Sequence, residues 1–248
     1  MWNAIKSNTI GSSHLRLNGE CQDYCNLKSF KIEGKAGLGI CISDGAGSAK
    51  FSRLGATLAV EYALSQLQAE YSDWRAIDQT WIYSLVNNTK EYLSAMAQQQ
   101  NLQIKDFACT FLFAMFSEDT GVFAQIGDGC WVIGDDDNLI SPTWPYTGDY
   151  ANETIFLTSN NALELTQFKV INQTISYVAG FTDGLQNLLL DFVDHKPFDG
   201  FFIPFVTSLR ATNDISLLNE QLTSFLSSEK VSSRTDDDKT LVIAWRDE

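Results

Sequence analysis

The segment Gly39-Ile-Cys-Ile-Ser-Asp44-Gly45 is an apolar run that ends in an Asp-Gly pair. The same arrangement recurs at Phe123-Ala-Gln-Ile-Gly-Asp128-Gly129 and at Val178-Ala-Gly-Phe-Thr-Asp183-Gly184. A further acidic cluster, Asp236-Asp-Asp238, stands just before the final apolar run Leu241-Val-Ile-Ala-Trp245. A carboxylate at the end of a buried strand is costly unless something neutralises its charge. If these strand ends converge, a hard divalent cation with oxygen ligands is the simplest neutraliser, so the sequence predicts an acidic metal site.

The overall composition is that of a globular protein with an acidic surface. The chain has 248 residues, of which 44% are hydrophobic and 12% aromatic, and its formal net charge is −14. The sequence contains no basic cluster of five or more residues, which argues against nucleic acid as a partner. Anionic membrane surfaces would repel a chain of this charge. The composition therefore favours a protein that binds neither nucleic acid nor membranes.

The sequence favours a cytoplasmic location. The first residues lack the apolar segment of a secretory signal, and no apolar stretch approaches the roughly 20 residues that cross a bilayer. Five cysteines, an odd number, fit reduced thiols better than a disulfide framework.

Apolar periodicity predicts helices and strands that alternate in groups. The predicted strands are 2–10, 37–43, 107–116, 121–126, 130–133, 155–157, 167–170, 176–182 and 240–245. The predicted helices are a segment that starts at Ala56 and the segments 78–99, 184–192, 198–211 and 214–228. Residues 11–36 are expected to be a polar connection and residues 141–152 an exposed loop. Grouped strands and helices indicate an α+β fold, a four-layer αββα sandwich of two antiparallel β-sheets flanked by helices. With only four prolines and no Ser/Gly-rich linker, residues 1–248 are expected to form a single domain.

Six short motifs, taken in chain order, resemble those of the metal-dependent protein phosphatase family, also called protein phosphatase type 2C. Any one Asp-Gly pair is a common turn dipeptide, so the order of the motifs is the informative feature. The motifs are Gly11-x-x-His14 with Cys21-Gln22-Asp23, Ser43-Asp44-Gly45-Ala-Gly47, Ala108-Cys-Thr110, Gly127-Asp128-Gly129, Thr182-Asp183-Gly184 and Asp237-Asp238-Lys-Thr240. The variants resemble most the compact bacterial branch of the family.

The resemblance implies an enzyme that hydrolyses phosphoserine and phosphothreonine in proteins. The attacking water would bridge two Mg²⁺ or Mn²⁺ ions, a geometry suited to phosphate ester hydrolysis. By resemblance, Asp44 is the bridging ligand, the Gly45 carbonyl binds the second metal, and Asp183 and Asp238 complete the shell of the first. Asp128, with Asp183, resembles a weaker third metal position. The implied partners are a phosphoprotein substrate and a cognate Ser/Thr kinase.

The groups that bind phosphate are less well defined. Ala46 stands where many eukaryotic relatives carry a histidine, a proposed general acid. His14 occupies the position of the family's phosphate-binding arginine, so His14 is expected to contact the phosphate, with Arg16 as a substitute. Gln22 replaces a glutamate, and Gln22 and Asp23 are expected to hydrogen-bond metal-bound waters.

Several of these residues also have simpler explanations. Aspartate commonly caps helices, and capping would explain Asp44 and Asp183 without a metal. Asp128 suits a hairpin turn, and a lone histidine such as His14 is often structural. The missing arginine, glutamate and histidine favour one rival function, a catalytically impaired phosphatase-like module that binds phosphoproteins or a regulatory partner. A calcium sensor is a weaker rival, because the sequence contains no EF-hand pattern.

Overall fold

Two β-sheets form the centre of the protein. The computed structural model describes residues 2–73, 77–134, 138–146, 154–211 and 214–246. In these ranges the five-stranded sheet has the order β1 (Trp2–Thr9), β13 (Lys239–Arg246), β10 (Tyr177–Phe181), β7 (Cys130–Gly134) and β8 (Leu139–Ile140). The six-stranded sheet has the order β4 (Glu70–Tyr71), β2 (Tyr24–Ile32), β3 (Lys35–Ser43), β5 (Phe111–Phe116), β6 (Gly121–Ile126) and β9 (Gln167–Ile171). Neighbouring strands are antiparallel, except that β4 runs parallel to β2.

Helices cover the outer faces of both sheets. The helices are α1 (Ser12–Arg16), α2 (Ser52–Ser65), α3 (Gln79–Gln99), α4 (Gln186–Leu189), α5 (Asp199–Arg210), α6 (Ile215–Leu226) and α7 (Glu229–Ser232). Short 3₁₀ turns occupy Ile104–Phe107 and Asp183–Leu185, and β11 (Leu190–Asp191) pairs with β12 (Lys196–Pro197) in a small hairpin. Among the helices of the described ranges, none combines the length and the apolar character that crossing a bilayer requires.

The side chains of β5 show how the layers are held together. Successive side chains of a strand point to opposite faces of the sheet. Phe111, Phe113 and Met115 pack in the cluster that includes the buried faces of α2 and α3. Leu112 and Phe116 instead pack between the two sheets. A third cluster joins the five-stranded sheet to α5 and α6. The layers therefore follow the order helices, sheet, sheet, helices, which confirms the predicted αββα sandwich.

The segment predicted as a polar connection contains a full strand, so that prediction was wrong for β2. Its polar side chains bond to α2 and the residues after it: Tyr24 Oη and Asn26 Nδ2 donate to Glu61 Oε1 at 2.7 and 2.8 Å. Lys28 Nζ donates to the Leu67 carbonyl at 2.7 Å. Because polar side chains meet polar partners on this face, the apolar alternation that would reveal a strand is missing.

Other predicted elements also differ from the structure. The predicted strand 155–157 is an irregular segment, although Ile155 and Leu157 are buried and the Leu157 N–H donates to the Cys109 carbonyl at 2.8 Å. The predicted helix 184–192 is a 3₁₀ turn followed by the short α4 and by β11. In the predicted loop 141–152, residues 141–146 are irregular, and the rest of the loop lies outside the described residues.

The acidic motifs converge because their strands end at one edge of the sandwich. Tyr24 at the start of β2 pairs with Ser43 at the end of β3, and Phe111 at the start of β5 pairs with Ile126 at the end of β6. In the other sheet, Phe181 at the end of β10 lies between the starts of β7 and β13. The residues that precede or follow these strand ends therefore meet between the two sheets.

Candidate metal centre

Three carboxylates come together at this edge of the sandwich. Asp44 follows β3, Asp128 lies in the turn between β6 and β7, and Asp183 follows β10. Among the described residues, each of these three offers a carboxylate oxygen that lies within 4.8 Å of the other two. We call Asp44, Asp128 and Asp183 the acidic cluster. The structure thus brings a carboxylate oxygen of Asp128, a residue predicted as peripheral, within 4.8 Å of those of Asp44 and Asp183.

The electrostatics of the acidic cluster call for a cation. Burial raises the pKa of Asp44 well above its usual range, and the charges of Asp23 and Asp183 add to the effect. Burial also raises the pKa of Asp183, with a further contribution from the charge of Asp128. Asp183 Oδ1 is buried and, within the described part of the chain, has no hydrogen-bond partner. Oxygen donors of this kind fit Mg²⁺ or Mn²⁺, so the residues present suit the metals that the sequence predicted.

Backbone hydrogen bonds fix the position of Asp44. Its N–H donates to Thr110 Oγ1 at 2.9 Å, and the Thr110 N–H donates to the Asp44 carbonyl at 2.8 Å. The next residue must be glycine, because a Cβ on Gly45 would lie 2.6 Å from the Ser52 carbonyl carbon and 2.8 Å from the Gln22 carbonyl oxygen. The chain therefore turns tightly at the acidic cluster, between β3 and α2.

A buried amide supports the turn that carries Asp128. Gln125 Nε2 donates to the Gly129 carbonyl at 2.6 Å and to the Trp144 carbonyl at 3.1 Å. Gly127 has a positive φ of 103°, a conformation that costs little only for glycine. The turn is thus held by the same side chain that holds the start of the 141–152 segment.

Asp238 is engaged by protein donors. Its Oδ1 accepts the Gly11 N–H at 2.6 Å, and its Oδ2 accepts the Gln22 N–H at 2.5 Å. His14 Nδ1 lies 2.9 Å from the same Oδ2, and the Asp238 side chain is only 2% exposed. Both oxygens thus accept hydrogen bonds from the N-terminal segment, and the metal role of Asp238 stays a prediction.

Asp237, which sequence reasoning did not select, acts electrostatically on the acidic cluster. Its negative charge raises the pKa of both Asp183 and Asp128. A Cβ built on Gly184 would lie 3.5 Å from the Asp237 Cβ. The chain bends at Asp237, two residues before β13, so no strand periodicity in the sequence distinguishes Asp237 from Asp238.

The two residues predicted to contact phosphate, His14 and Arg16, lie on α1 and each contacts a carboxylate. Arg16 Nη2 lies 3.3 Å from Asp236 Oδ2, and the Arg16 side chain is 69% exposed. His14 is paired with Asp238 and is 19% exposed. The structure therefore pairs Arg16 with Asp236 and His14 with Asp238, and neither carboxylate belongs to the acidic cluster.

Gln22 and Asp23 lie close to the acidic cluster. Asp23 Oδ2 accepts the Thr182 Oγ1 hydroxyl at 2.7 Å, whereas Asp23 Oδ1 and Gln22 Oε1 are buried with no hydrogen-bond partner in the described ranges. Burial raises the pKa of Asp23. Sequence reasoning also missed Arg53, whose guanidinium donates to the Asp23 carbonyl and lies 5.0 Å from the Tyr24 ring centroid.

The protein is thus a four-layer sandwich with carboxylates gathered at one edge between its two sheets. Residues 10–227 match the family model described as Protein phosphatase 2C, and the chain belongs to that family. It is 35% identical over 247 residues to "Serine/threonine-protein phosphatase 3" of Escherichia coli K12, with 98% of each chain covered. As a member of this family, the chain is a metal-dependent serine/threonine protein phosphatase that uses magnesium or manganese.

Solved structures share the fold. The serine/threonine phosphatase Stp1 of Staphylococcus aureus superposes with a TM-score of 0.71 at 15% identity, covering 100% of this chain and 96% of the other. The S. agalactiae serine/threonine phosphatase gives 0.71 at 16% identity, with full coverage of both chains. The catalytic domain of PstP, solved in complex with two manganese ions, gives 0.65 at 14% identity and covers 98% and 97%. At these identities the likeness concerns the fold alone.

Proposed function

We propose that the acidic cluster and Asp237 form the catalytic metal centre at which phosphoserine and phosphothreonine side chains of proteins are hydrolysed. The observation that carries this proposal is the convergence of three carboxylate oxygens within 4.8 Å of one another. Bound there, two divalent cations would supply Lewis acidity, which offsets the negative charge of the phosphate and acidifies the attacking water.

The chain itself holds the carboxylates in place. Asp44 would be the ligand shared by both cations, as the family resemblance implies, and Thr110 anchors its backbone from both sides. The Gly45 carbonyl is the proposed backbone ligand. Asp183 and Asp128 complete the cluster from two other strand ends, and we assign Asp128 to the third metal position beside Asp183.

We assign the C-terminal metal ligand to Asp237 in place of Asp238. Asp237 raises the pKa of Asp183 and Asp128, whereas Asp238 binds the Gly11 and Gln22 N–H groups. In this assignment Asp238 anchors the N-terminal segment next to the metal centre. Gln22 and Asp23 each have one oxygen without a partner among the described residues, and they are the proposed acceptors for waters in that centre.

The leaving alkoxide needs a proton, and Ala46 supplies none. Its methyl side chain is buried, and its N–H donates to the Ala108 carbonyl at 2.9 Å. We assign this proton to solvent water. The solvent isotope effect on kcat should therefore be smaller for a substrate with an activated leaving group, which needs no proton, than for a phosphopeptide. Equal isotope effects on the two substrates would contradict this assignment.

Turnover of a phosphothreonine peptide tests the function. We expect activity with manganese, loss of activity on chelation, and recovery when manganese is restored. Asp44→Asn should lower kcat by about a hundredfold or more, because it removes a negative charge that would bind the cations directly. The matched control is Glu220→Gln, an exposed change on α6 that should leave kcat unaltered. Full activity of Asp44→Asn with manganese would refute the assignment.

We further propose a cytoplasmic enzyme that reverses the action of a Ser/Thr kinase on phosphosites with basic flanks. The net charge of −14 supports the preference for basic flanks, because opposite charges speed association and like charges slow it. Equal kcat/KM on matched acidic and basic phosphopeptides at low salt would count against this preference. Cell fractionation tests the cytoplasmic location. A comparison of phosphosites in cells with and without the kinase tests whether the enzyme reverses the action of that kinase.

A further inference from the structure

A cavity of about 440 Å³ lies between α5, α6, α7 and β13. Its walls are mainly apolar and include Leu189, Phe201, Phe205, Phe225 and Leu226. This volume lies within the range of roughly 300–1,000 Å³ that small-molecule sites occupy, and such sites are usually lined by apolar and aromatic side chains. Size and lining therefore suit an apolar ligand of modest size.

Two cations stand at the mouth of this cavity. Lys230 and Arg234 line it and are exposed to solvent. They lie about one turn apart, since the Arg234 N–H donates to the Val231 carbonyl at 2.9 Å. No acidic side chain lines the cavity, and neither cation forms an ion pair within the described ranges. The chain has 17 basic and 31 acidic residues, so two neighbouring cations with no carboxylate beside them are unusual in it. Their positive charge favours an anionic ligand.

We propose that this cavity binds a single-chain fatty-acid carboxylate. The alkyl chain fills the apolar interior, and the carboxylate pairs with Lys230 and Arg234 at the mouth. Charge complementarity distinguishes this ligand from a neutral lipid, which would leave the cations unpaired. The apolar interior distinguishes it from inorganic phosphate, which would leave the walls unfilled.

The site is separate from the acidic cluster but adjoins it through the chain. Leu185, which lines the cavity, belongs to the same 3₁₀ turn as Asp183, and Leu241 lies on the strand that Asp238 precedes. A carboxylate could also bind cations held by the acidic cluster. Binding is therefore measured on the full chain with a chelator present, which also makes the result independent of phosphatase activity.

Titration calorimetry with dodecanoate below its critical micelle concentration tests the proposal. We expect one molecule bound per chain, and dodecanol should bind about tenfold more weakly because it forms no ion pairs. Ser208→Trp places a large side chain at an exposed position that lines the cavity and should abolish binding. Thr207→Trp, also exposed on α5 but outside the lining, is the matched control and should bind normally. Far-UV circular dichroism verifies that both variants fold.

Charge variants test the head-group contact. The double change Lys230→Gln with Arg234→Gln should weaken dodecanoate binding about tenfold and leave dodecanol binding unchanged. Lys31→Gln with Lys105→Gln alters net charge equally at exposed positions outside the cavity and should have no effect. Absence of dodecanoate binding, normal binding by Ser208→Trp, or equal affinity for dodecanol would overturn the proposal.

Discussion

Asp237 and Asp238 are adjacent in sequence, yet their carboxylates have different surroundings. Asp238 is buried among the N–H groups of Gly11 and Gln22, with His14 beside it. Asp237 is half-buried and acts electrostatically on Asp183. Sequence similarity locates the pair, but the direction of each side chain depends on how β13 enters the sheet.

Isosteric substitutions separate the roles of these two residues. Asp237→Asn should raise the manganese Kd about tenfold or more, because a ligand charge is lost. Asp238→Asn should lower the free energy of unfolding by about 1.5–3 kcal/mol, the value of hydrogen bonds to a charged group. Calorimetric manganese titration and urea unfolding of both variants measure these effects. The reverse outcome, with manganese affinity lost in Asp238→Asn alone, would restore the original sequence prediction.

His14 and Arg16 are tested as phosphate contacts by single alanine substitutions. Loss of a phosphate contact should raise KM for a phosphopeptide and lower kcat/KM about tenfold, since a hydrogen bond to a charged group contributes about 1.5–3 kcal/mol. A structural role for His14 would lower stability and leave KM unchanged. Arg53→Ala is the third variant to be measured, because the Arg53 guanidinium donates to the Asp23 carbonyl. Unchanged kcat/KM in both His14→Ala and Arg16→Ala would refute the assignment.

At the scale of elements, the turn between β6 and β7 depends on a buried side chain rather than on local sequence. Gln125 is fully buried; its amide NH₂ holds the carbonyls of Gly129 and Trp144, and its Oε1 accepts the Thr143 hydroxyl at 2.5 Å. The Asp-Gly dipeptide identifies a turn. The position of Asp128 in the acidic cluster, however, requires this non-local amide.

Gln125→Leu should therefore destabilise the protein and weaken its metal site. The substitution leaves buried carbonyls without donors, and each such group costs about 1–3 kcal/mol. Urea unfolding and a manganese titration measure the two effects, with Gln98→Leu on the exposed face of α3 as the control. A variant as stable as the wild type would show that the amide does not hold the turn.

Strands and helices with clear apolar periodicity were predicted well, and the others were not. The helix predicted over 78–99 occupies Gln79–Gln99, and Asp78 caps it by accepting the Trp81 N–H at 2.8 Å. β2 escaped prediction because its polar face bonds to α2 and to the residues that follow it. The segment 155–157 is apolar because it is buried, although it joins no sheet. Burial can thus produce an apolar run without producing a strand.

At the scale of the whole molecule, raised carboxyl pKa values link stability to pH. Burial raises the pKa of Asp44, Asp183 and Asp23 in the folded state. The folded metal-free protein therefore binds protons that the unfolded chain, with Asp pKa values of about 3.9, has released. Stability from these groups is present at low pH and is lost as the pH rises through the raised pKa values.

We expect the metal-free protein to lose stability between pH 5 and pH 8, because these buried carboxyl groups lose their protons over that range. Manganese should raise Tm more at pH 8 than at pH 5, because protons compete with the cation for the carboxylates at low pH. Thermal unfolding at both pH values, with and without manganese, measures the difference. Asp183→Asn should reduce both the pH dependence and the manganese effect. A manganese shift of equal size at pH 5 and pH 8 would contradict the interpretation.

We propose that residues 1–248 form one domain, because β1 pairs with β13 and so joins the two ends of the chain in one sheet. Urea unfolding followed by fluorescence and by circular dichroism should then give a single, coincident transition. Two separate transitions would indicate two domains.

The sequence by itself determined the layers of the fold, the family and the oxygen-rich metal chemistry. These properties depend on local periodicity and on the order of short motifs, both of which are present in the linear chain. Only the tertiary structure decided that Asp128 lies with Asp44 and Asp183, that the charge of Asp237 raises the pKa of Asp183, and that His14 pairs with Asp238. The physical reason is that these partners come from distant segments. Their meeting depends on strand register and on how the two sheets pack, which no local pattern records.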